Sequence, residues 1–250
     1  PHQRTIGLTS QQFTTLLTHL TWGKPGGRPP TLTLPQGLKA TLLYHRHNPT
    51  EELLADFFET SQPTISRVIT TIEKALEKVL APLNRPVEES LRIPGSLVID
   101  GTLIPPGTGI HEGKQTSQEN TNVPGKPPRH LPLDGRLLAI TDPLPGARHD
   151  AFAFKAYGLD QLLDSSTLAD KGYVGLGLAT PMRRKPGQRL SREQKKNNRV
   201  INRLRSVVER RIVQIKTWRV SGFRRPLSSY ERVFSVVRGL VFYVVGGTFE

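Results

Sequence analysis

Apolar residues recur at two different spacings along the chain, and the change of spacing divides it into two parts. Up to about Leu83 they follow the period of an amphipathic helix. After Gly95 they form short continuous runs, which are typical of buried strands. The first part is predicted to hold helices over residues 11–20, 38–44, 51–58 and 63–79. The second part is predicted to hold strands over 96–100, 136–141 and 167–170, and helices over 150–163, 191–219 and 229–245.

Strands mixed with helices predict an α/β or α+β layer fold for the second part. Prolines gather just before it, which indicates a linker. We therefore predict a helical domain over residues 1–85, a linker over 86–95 and a second domain over 96–250. Along the last predicted helix, valine and leucine recur at helical spacing and predict a packing face without chemistry.

The pattern near residues 50–80, two short helices around a four-residue turn, is typical of a helix-turn-helix. Thr50 is the predicted N-cap of the first helix, and Pro63 suits the first turn of the second. An ordinary helical hairpin in a core is the alternative, but the basic remainder of the chain favours DNA binding. The residues predicted to contact base edges or phosphates are Gln62, Thr64, Ser66 and Arg67.

Positive charge is concentrated in one block. The window from Arg183 to Arg225 holds 16 basic and two acidic residues, and therefore accounts for the whole formal net charge of +14. Apolar residues recur within the block, which favours a folded surface over a disordered tail. Such a surface binds a polyanion, of which nucleic acid is the first candidate, with an acidic protein or an anionic membrane surface as alternatives.

Composition excludes several classes of site. The chain has no cysteine, which rules out disulfides and thiolate metal sites. It has no apolar run of about 18 residues, so we expect no membrane span. Because nucleic acid is the first candidate for the basic surface, we expect no membrane partner. The first residues lack the pattern of a signal peptide, and we expect a cytoplasmic protein.

Three acids suit a nuclease. Asp100 and Asp170 each end an apolar run, which predicts carboxylates at the ends of strands. Glu209 lies on a predicted helix, at the rim of its apolar face. Carboxylates are the ligands with which proteins hold two divalent ions for phosphodiester cleavage. A surface ion pair between Arg205 and Glu209 is the alternative for the third acid.

Three blocks of the sequence resemble bacterial insertion-sequence transposases. They are Leu97–Thr102 around Asp100, Leu168–Tyr173 around Asp170, and the spacing of Arg205, Glu209 and Lys216. Asn202 occupies a position where many members carry Tyr. The order of the blocks and the 38 residues between Asp170 and Glu209 are similar to those of the DDE enzymes.

This resemblance implies a mixed RNase H-like sheet flanked by helices, preceded by a small all-α helix-turn-helix domain. It implies a transposase whose three acids hold two Mg²⁺ or Mn²⁺ ions, and which cuts element ends before the freed 3′-hydroxyl attacks target DNA. Asn202, Arg205 and Lys216 would contact DNA near the cut. The implied partners are double-stranded DNA, at transposon ends and target, and further copies of the chain in a homodimer or larger synaptic assembly.

Asp150 is the rival for the second acid, within a block at residues 145–150 that also resembles the family. Asp170 is preferred because it follows a predicted strand and its distance to Glu209 suits the family. Residues 115–130 depart from the family pattern, since they are polar, rich in proline and a poor strand. A catalytically decayed transposase, or a regulator that only binds DNA, is therefore the alternative function.

Two further features have ordinary structural interpretations. The segment His45–His47 has no further metal ligands nearby and is predicted to lie on the surface of a helix. Trp218 could stack on a base, but the interpretation we favour is that it anchors the end of a helix to the core.

Overall fold

The computed structural model describes residues 2–22, 30–84, 87, 89, 98–99, 103–104, 121–122, 140–141, 150–184, 186–219 and 230–246. The chain forms two compact units. The terminal unit comprises residues 1–84, 107–110 and 215–250, and the central unit comprises residues 85–106 and 111–214. No helix within the described ranges is long and apolar enough to cross a lipid bilayer.

The terminal unit is helical. Its first five helices are α1 (His2–Ile6), α2 (Ser10–His19), α3 (Leu34–His47), α4 (Glu51–Phe57) and α5 (Gln62–Leu80). A short 3₁₀ turn, Ala81–Leu83, follows α5. The Thr50 hydroxyl accepts a hydrogen bond from the backbone N–H of Leu53 at 3.2 Å, so the predicted N-cap of α4 is confirmed.

Helix α5 forms the centre of this unit. Its inward face carries Ile65, Ile69, Ile72 and Leu76, all fully buried. Two capping boxes fix the starts of α2 and α3, where Thr9 and Thr33 each pair with a glutamine three residues on. The predicted helices in this part of the sequence are therefore present, with ends shifted by a few residues.

The last helix of the chain packs on α5. We number it α9 (Tyr230–Val244), and its buried face includes Val233, Val236, Val237 and Leu240. The packing face predicted for this helix is confirmed. A Cβ at Gly239 would lie 2.6 Å from the Cβ of Leu80, so glycine permits this close approach of the two helices. The helix, predicted within the 96–250 domain, thus clusters with the N-terminal helices.

The segment after residue 216 is anchored to α3. Trp218 is 3% exposed and packs against Gly7, where a Cβ would lie 2.5 Å from the indole. The Arg46 guanidinium lies 5.3 Å from the centre of the Trp218 ring and donates a hydrogen bond to the Thr217 hydroxyl. Burial lowers the pKa of Arg46 from its ordinary value. The prediction that Trp218 anchors a helix end is confirmed.

His45 corrects a prediction. Its side chain is fully buried, with Nε2 lying 3.3 Å from Oε1 of the equally buried Glu73 on α5. The expectation of a surface position was therefore wrong for His45, whereas His47 of the same segment is exposed. Sequence periodicity places position 45 on α3, but only the partner on another helix makes burial of a polar ring favourable.

The central unit contains α6 (Asp150–Ala156), α7 (Leu159–Leu162), a 3₁₀ turn at Lys171–Tyr173, and α8 (Arg192–Lys216), whose last two residues belong to the terminal unit. Ile99, Phe154, Leu159, Ala169 and Tyr173 form its buried core. The Phe154 and Tyr173 rings meet edge to face, with centroids 5.9 Å apart. This cluster fixes the chain on both sides of Asp170.

The predicted α/β fold class, an RNase H-like mixed sheet flanked by helices, is wrong for the part of the chain that the structure describes. That part is mostly helical, and its strands are β1 (Leu103–Ile104) and β2 (Thr121–Asn122), a two-residue antiparallel pair. The segments predicted as strands near 98 and 168 meet through an isolated parallel bridge between Val98 and Leu168. Leu168 forms a second isolated parallel bridge with Ala179.

Local turns bound the extended stretch around Leu168. On one side, the backbone N–H groups of Ser166 and Thr167 donate to the side chain and the carbonyl of Asp164, both at 2.9 Å. On the other side, Asp170 begins a 3₁₀ turn. Thr167 lies in a bend, so the extended stretch around Leu168 is shorter than a strand of ordinary length. Of the predicted strand at 136–141, residues 136–139 lie outside the described ranges.

Candidate active site and DNA-binding helix

The start of α5 holds the four residues predicted to contact DNA. The Gln62 amide donates to the Glu51 carboxylate at 2.6 Å, so this side chain ties α5 to α4. The Thr64 hydroxyl is bonded to that of Ser61 at 2.9 Å, and Ser66 is half-buried. Arg67 is exposed, and its Nε donates to the Pro63 carbonyl at 3.0 Å. Arg67 is therefore the best placed of the four to contact a phosphate.

A basic stripe continues along α5 beyond Arg67. Thr71, Lys74 and Lys78 are exposed, and their spacing places all three within about 40° of Arg67 around the helix axis. Glu77, which follows Lys74 by three residues on α5, pairs with Arg232 of α9 at 3.5 Å. This stripe was not predicted, although the helical spacing of its basic residues is visible in the sequence.

Asp170 lies directly after the bridged segment. It is half-buried, and its Oδ1 accepts a hydrogen bond from the backbone N–H of Gly172 at 2.5 Å. The backbone before it is held on two sides, since Ala169 donates to the Ala179 carbonyl at 3.0 Å and Ile99 donates to the Leu168 carbonyl at 2.8 Å. A carboxylate offers two oxygens, so the cap leaves Asp170 with further acceptor capacity.

The other predicted acids are described less fully. Asp100 lies outside the described residues, although its neighbour Ile99 is described. Glu209 belongs to α8 and Asp150 opens α6, but only their backbones are described. Among the described side chains no three acids or histidines form a group that would hold a metal ion. The predicted trio of Asp100, Asp170 and Glu209 therefore stays a prediction.

Helix α8 carries the remaining predicted residues. It contains nine basic and two acidic residues, and runs without interruption for 25 residues. At about 100° per residue, the predicted positions lie within about 60° of one another on one face. These positions are Asn202, Arg205, Glu209 and Lys216. Asn202 and Lys216 are exposed, and Arg205 is half-buried.

The same face of α8 also includes Asn198, whose amide bonds to the backbone of Met182 in both directions. Met182 N–H donates to the amide oxygen at 2.8 Å, and the amide nitrogen donates to the Met182 carbonyl at 3.1 Å. The next residue, Arg183, donates to the carbonyl of Lys171, which directly follows Asp170. These bonds connect the face of α8 to the chain around Asp170, and the sequence analysis did not find them.

Comparison with known proteins identifies the family of the chain. Residues 30–82 match the model described as the helix-turn-helix of DDE superfamily endonuclease, and residues 131–242 match the model described as DDE superfamily endonuclease. The chain is also 30% identical over 224 residues to a protein from the organism Streptomyces albus G, which is named as a transposase for insertion sequence element IS112. That alignment covers 86% of this chain and 82% of the relative. The chain belongs to the DDE family of insertion-sequence transposases.

A second relative, from Microchaete diplosiphon, is named as a transposase for insertion sequence element IS702. It is 41% identical over 69 residues, which is 26% of this chain and 25% of that protein. No solved structure matches the chain. DDE superfamily endonucleases generally use divalent metal ions.

The family matches contain some of the acids predicted for the active site of this transposase and not others. The endonuclease match contains Asp150, Asp170 and Glu209, whereas Asp100 precedes it. The atypical segment at residues 115–130 lies between the two matches. Within that segment the structure describes only β2, whose Thr121 pairs with Ile104.

Proposed function

We propose that this transposase cuts DNA strands at the ends of its insertion sequence and joins the freed 3′-hydroxyls to target DNA. The observation that carries the proposal is the parallel register of Val98 and Leu168. Asp100 follows Val98 by two residues, as Asp170 follows Leu168. Parallel neighbours advance in step, so equal offsets from a bridge favour adjacent positions for the two acids.

The contact between Asn198 and Met182 supports Glu209 as the third acid. Ala179, three residues before Met182, is bridged to Leu168. The hydrogen bonds of Asn198 therefore connect its face of α8 to the short stretch of chain that leads to Asp170. Position 209 lies on that face, about 20° around the axis from position 198.

The three acids suit divalent ions. Carboxylate oxygens are the preferred ligands of Mg²⁺ and Mn²⁺, and Asp170 retains acceptor capacity beyond its cap. We infer that Asp100, Asp170 and Glu209 hold two such ions, which supply charge stabilisation to the attacking and leaving oxygens. Asp150 is the alternative second acid. Asn202, Arg205 and Lys216 lie on the face of α8 that would meet the phosphates beside the cut.

Helix α5 supplies the separate function of holding the element's ends. Its solvent-facing stripe begins at Arg67 and runs for 11 residues to Lys78, about 16 Å along the axis. A row of positive charge of this length matches a stretch of DNA backbone. Because transposition joins two ends, we propose that the active form is a homodimer or larger assembly.

We expect the purified transposase to nick duplex DNA that carries the terminal sequence of its own element when Mg²⁺ or Mn²⁺ is added. The expected cut is at the boundary of the element, and EDTA should abolish it. The control duplex has the same length and composition with a scrambled terminus. Specific, salt-sensitive binding without any cut at either metal would overturn the catalytic proposal and leave a DNA-binding regulator.

We expect Arg67→Ala to weaken DNA binding because it removes an exposed cation from the start of the stripe. A lost phosphate contact lowers the slope of log affinity against log salt by about one and weakens binding to all sequences alike. Fluorescence anisotropy over a salt series measures both effects. Arg4→Ala, an exposed arginine on α1, is the matched control. Equal affinities and slopes for the two variants would exclude Arg67 from the interface.

A further inference from the structure

Asn198 makes a contact on α8 that its neighbour of the same type does not share. Its amide pairs with both the N–H and the carbonyl of Met182, at 2.8 and 3.1 Å. A side-chain amide that accepts and donates in this way fixes both the position and the rotation of its helix relative to the bound backbone. Asn197 is exposed, whereas Asn198 is half-buried.

The backbone that Asn198 contacts is itself held next to Asp170. Three residues before Met182, the N–H of Ala179 donates to the Thr167 carbonyl at 2.9 Å, and the Ala179 carbonyl accepts from Ala169 at 3.0 Å. One residue after it, Arg183 donates to the Lys171 carbonyl. Both neighbours of Asp170, Ala169 and Lys171, are therefore hydrogen-bonded to the chain on either side of Met182.

Helical geometry relates Asn198 to the acid further along α8. Glu209 follows it by 11 residues, which is about 16 Å along the axis and about 20° around it. Arg205 follows it by seven residues and lies about 20° to the other side. A rotation of α8 about its axis would therefore move all three positions together.

We propose that Asn198 is a positioning residue, which sets the rotation of α8 so that Glu209 and Asp170 act on the same ions. The inference rests on the proposed function and assigns to Asn198 no contact with DNA or metal. The main effect of the two hydrogen bonds is on the site, because displacement of a reacting group by about 1 Å can cost roughly 100-fold in rate.

The test compares Asn198→Ala with Asn197→Ala in the full chain. We expect Asn198→Ala to lower the cleavage rate at saturating DNA by about 10- to 100-fold and to raise the Mg²⁺ concentration for half-maximal cleavage by a similar factor. DNA affinity should fall much less than the cleavage rate, because α5, which holds the element's ends, is untouched, although Arg205 would move with α8. Asn197→Ala should match the wild type in all three measurements.

Two further measurements separate positioning from general loss of structure. Amide hydrogen exchange should show that Met182 is protected in the wild type and in Asn197→Ala, and exchanges faster in Asn198→Ala. Asn198→Asp keeps the acceptor for the Met182 N–H but sets a carboxylate oxygen against the Met182 carbonyl. It should therefore lose cleavage as Asn198→Ala does.

The possible results separate failure of the positioning role of Asn198 from failure of the proposed function. A wild-type chain that cuts no DNA with either metal overturns the proposed function, and the positioning role falls with it. If the wild type cuts and Asn198→Ala equals Asn197→Ala, only the positioning role is overturned. A lower rate with an unchanged Mg²⁺ midpoint and unchanged exchange at Met182 also overturns it, because the loss would then come from elsewhere.

Discussion

Asp170→Asn is expected to abolish metal-dependent cleavage and leave DNA binding at the wild-type level. Asparagine keeps an oxygen that can accept the hydrogen bond from Gly172, so the 3₁₀ turn should survive. It loses the negative charge that a divalent ion requires. Metal ions contribute several kcal/mol of transition-state stabilisation, so the expected loss in rate is about 10³-fold or more. Single-turnover cleavage and binding of the same labelled duplex measure the two effects.

Asp164 offers a matched control at the other end of the same short segment. Its carboxylate accepts a hydrogen bond from the backbone N–H of Ser166 at 2.9 Å. As at Asp170, the donor lies two residues further along the chain. Asp164→Asn should therefore reproduce any structural effect of the substitution without loss of cleavage. If both variants cut DNA at comparable rates, Asp170 is a turn cap and the second acid must be sought at Asp150.

The same comparison applies on α8, which contains two acids. Glu209→Gln should lose cleavage to a similar extent as Asp170→Asn, because both would hold the ions. Glu193 lies in the first turn of the helix, where a negative charge interacts favourably with the helix dipole. Glu193→Gln should therefore cost at most a few tenths of a kcal/mol in stability and nothing in rate. Equal cleavage by the two variants would remove Glu209 from the site.

Glu73→Ala is expected to destabilise the terminal unit more than any other single carboxylate removed from α5. Glu73 and His45 are both fully buried, with Nε2 and Oε1 3.3 Å apart. Removal of the Glu73 carboxylate takes a polar partner at 3.3 Å away from the fully buried His45 ring, which costs roughly 1–3 kcal/mol, and the substitution also leaves a cavity. Chemical denaturation followed by circular dichroism should show the decrease in the free energy of unfolding.

Glu77→Ala provides the control for this second substitution. Glu77 lies one helical turn further along α5, and its pair with Arg232 is 3.5 Å long between partly exposed side chains. Solvent screening limits such a pair to about 0–1 kcal/mol. The double variant His45→Leu with Glu73→Leu should recover much of the stability lost in Glu73→Ala, since it removes both polar groups. Equal destabilisation by Glu73→Ala and Glu77→Ala would contradict the argument.

Local sequence patterns predicted the helices well. The period of apolar residues identified α5 and α9, and Thr50 marked the start of α4 through an ordinary capping interaction. Such features depend on residues within a few positions of one another. The motifs that indicated an insertion-sequence transposase are local in the same sense, and the matched family confirms that prediction.

The predicted sheet was wrong for the described residues because strand pairing is not a local property. The apolar runs near Val98 and Leu168 do meet in parallel, as buried strands would. Turns at Asp164 and Asp170 bound the second run, and among the described residues Val98 and Leu168 are joined by an isolated bridge. Apolar character indicates burial, but the number of paired residues depends on the turns that bound the segment.

The sequence by itself determined the helices, the family and the identity of the residues proposed for chemistry, because each depends on residue types at short and regular spacing. Only the tertiary structure decided that His45 is buried against Glu73, that α9 packs on α5, and that Asn198 binds the backbone of Met182. Each of these contacts joins segments at least 16 residues apart in the chain. Their partners are selected by packing and by the requirement that buried polar groups be hydrogen-bonded, and neither condition is expressed in a local pattern.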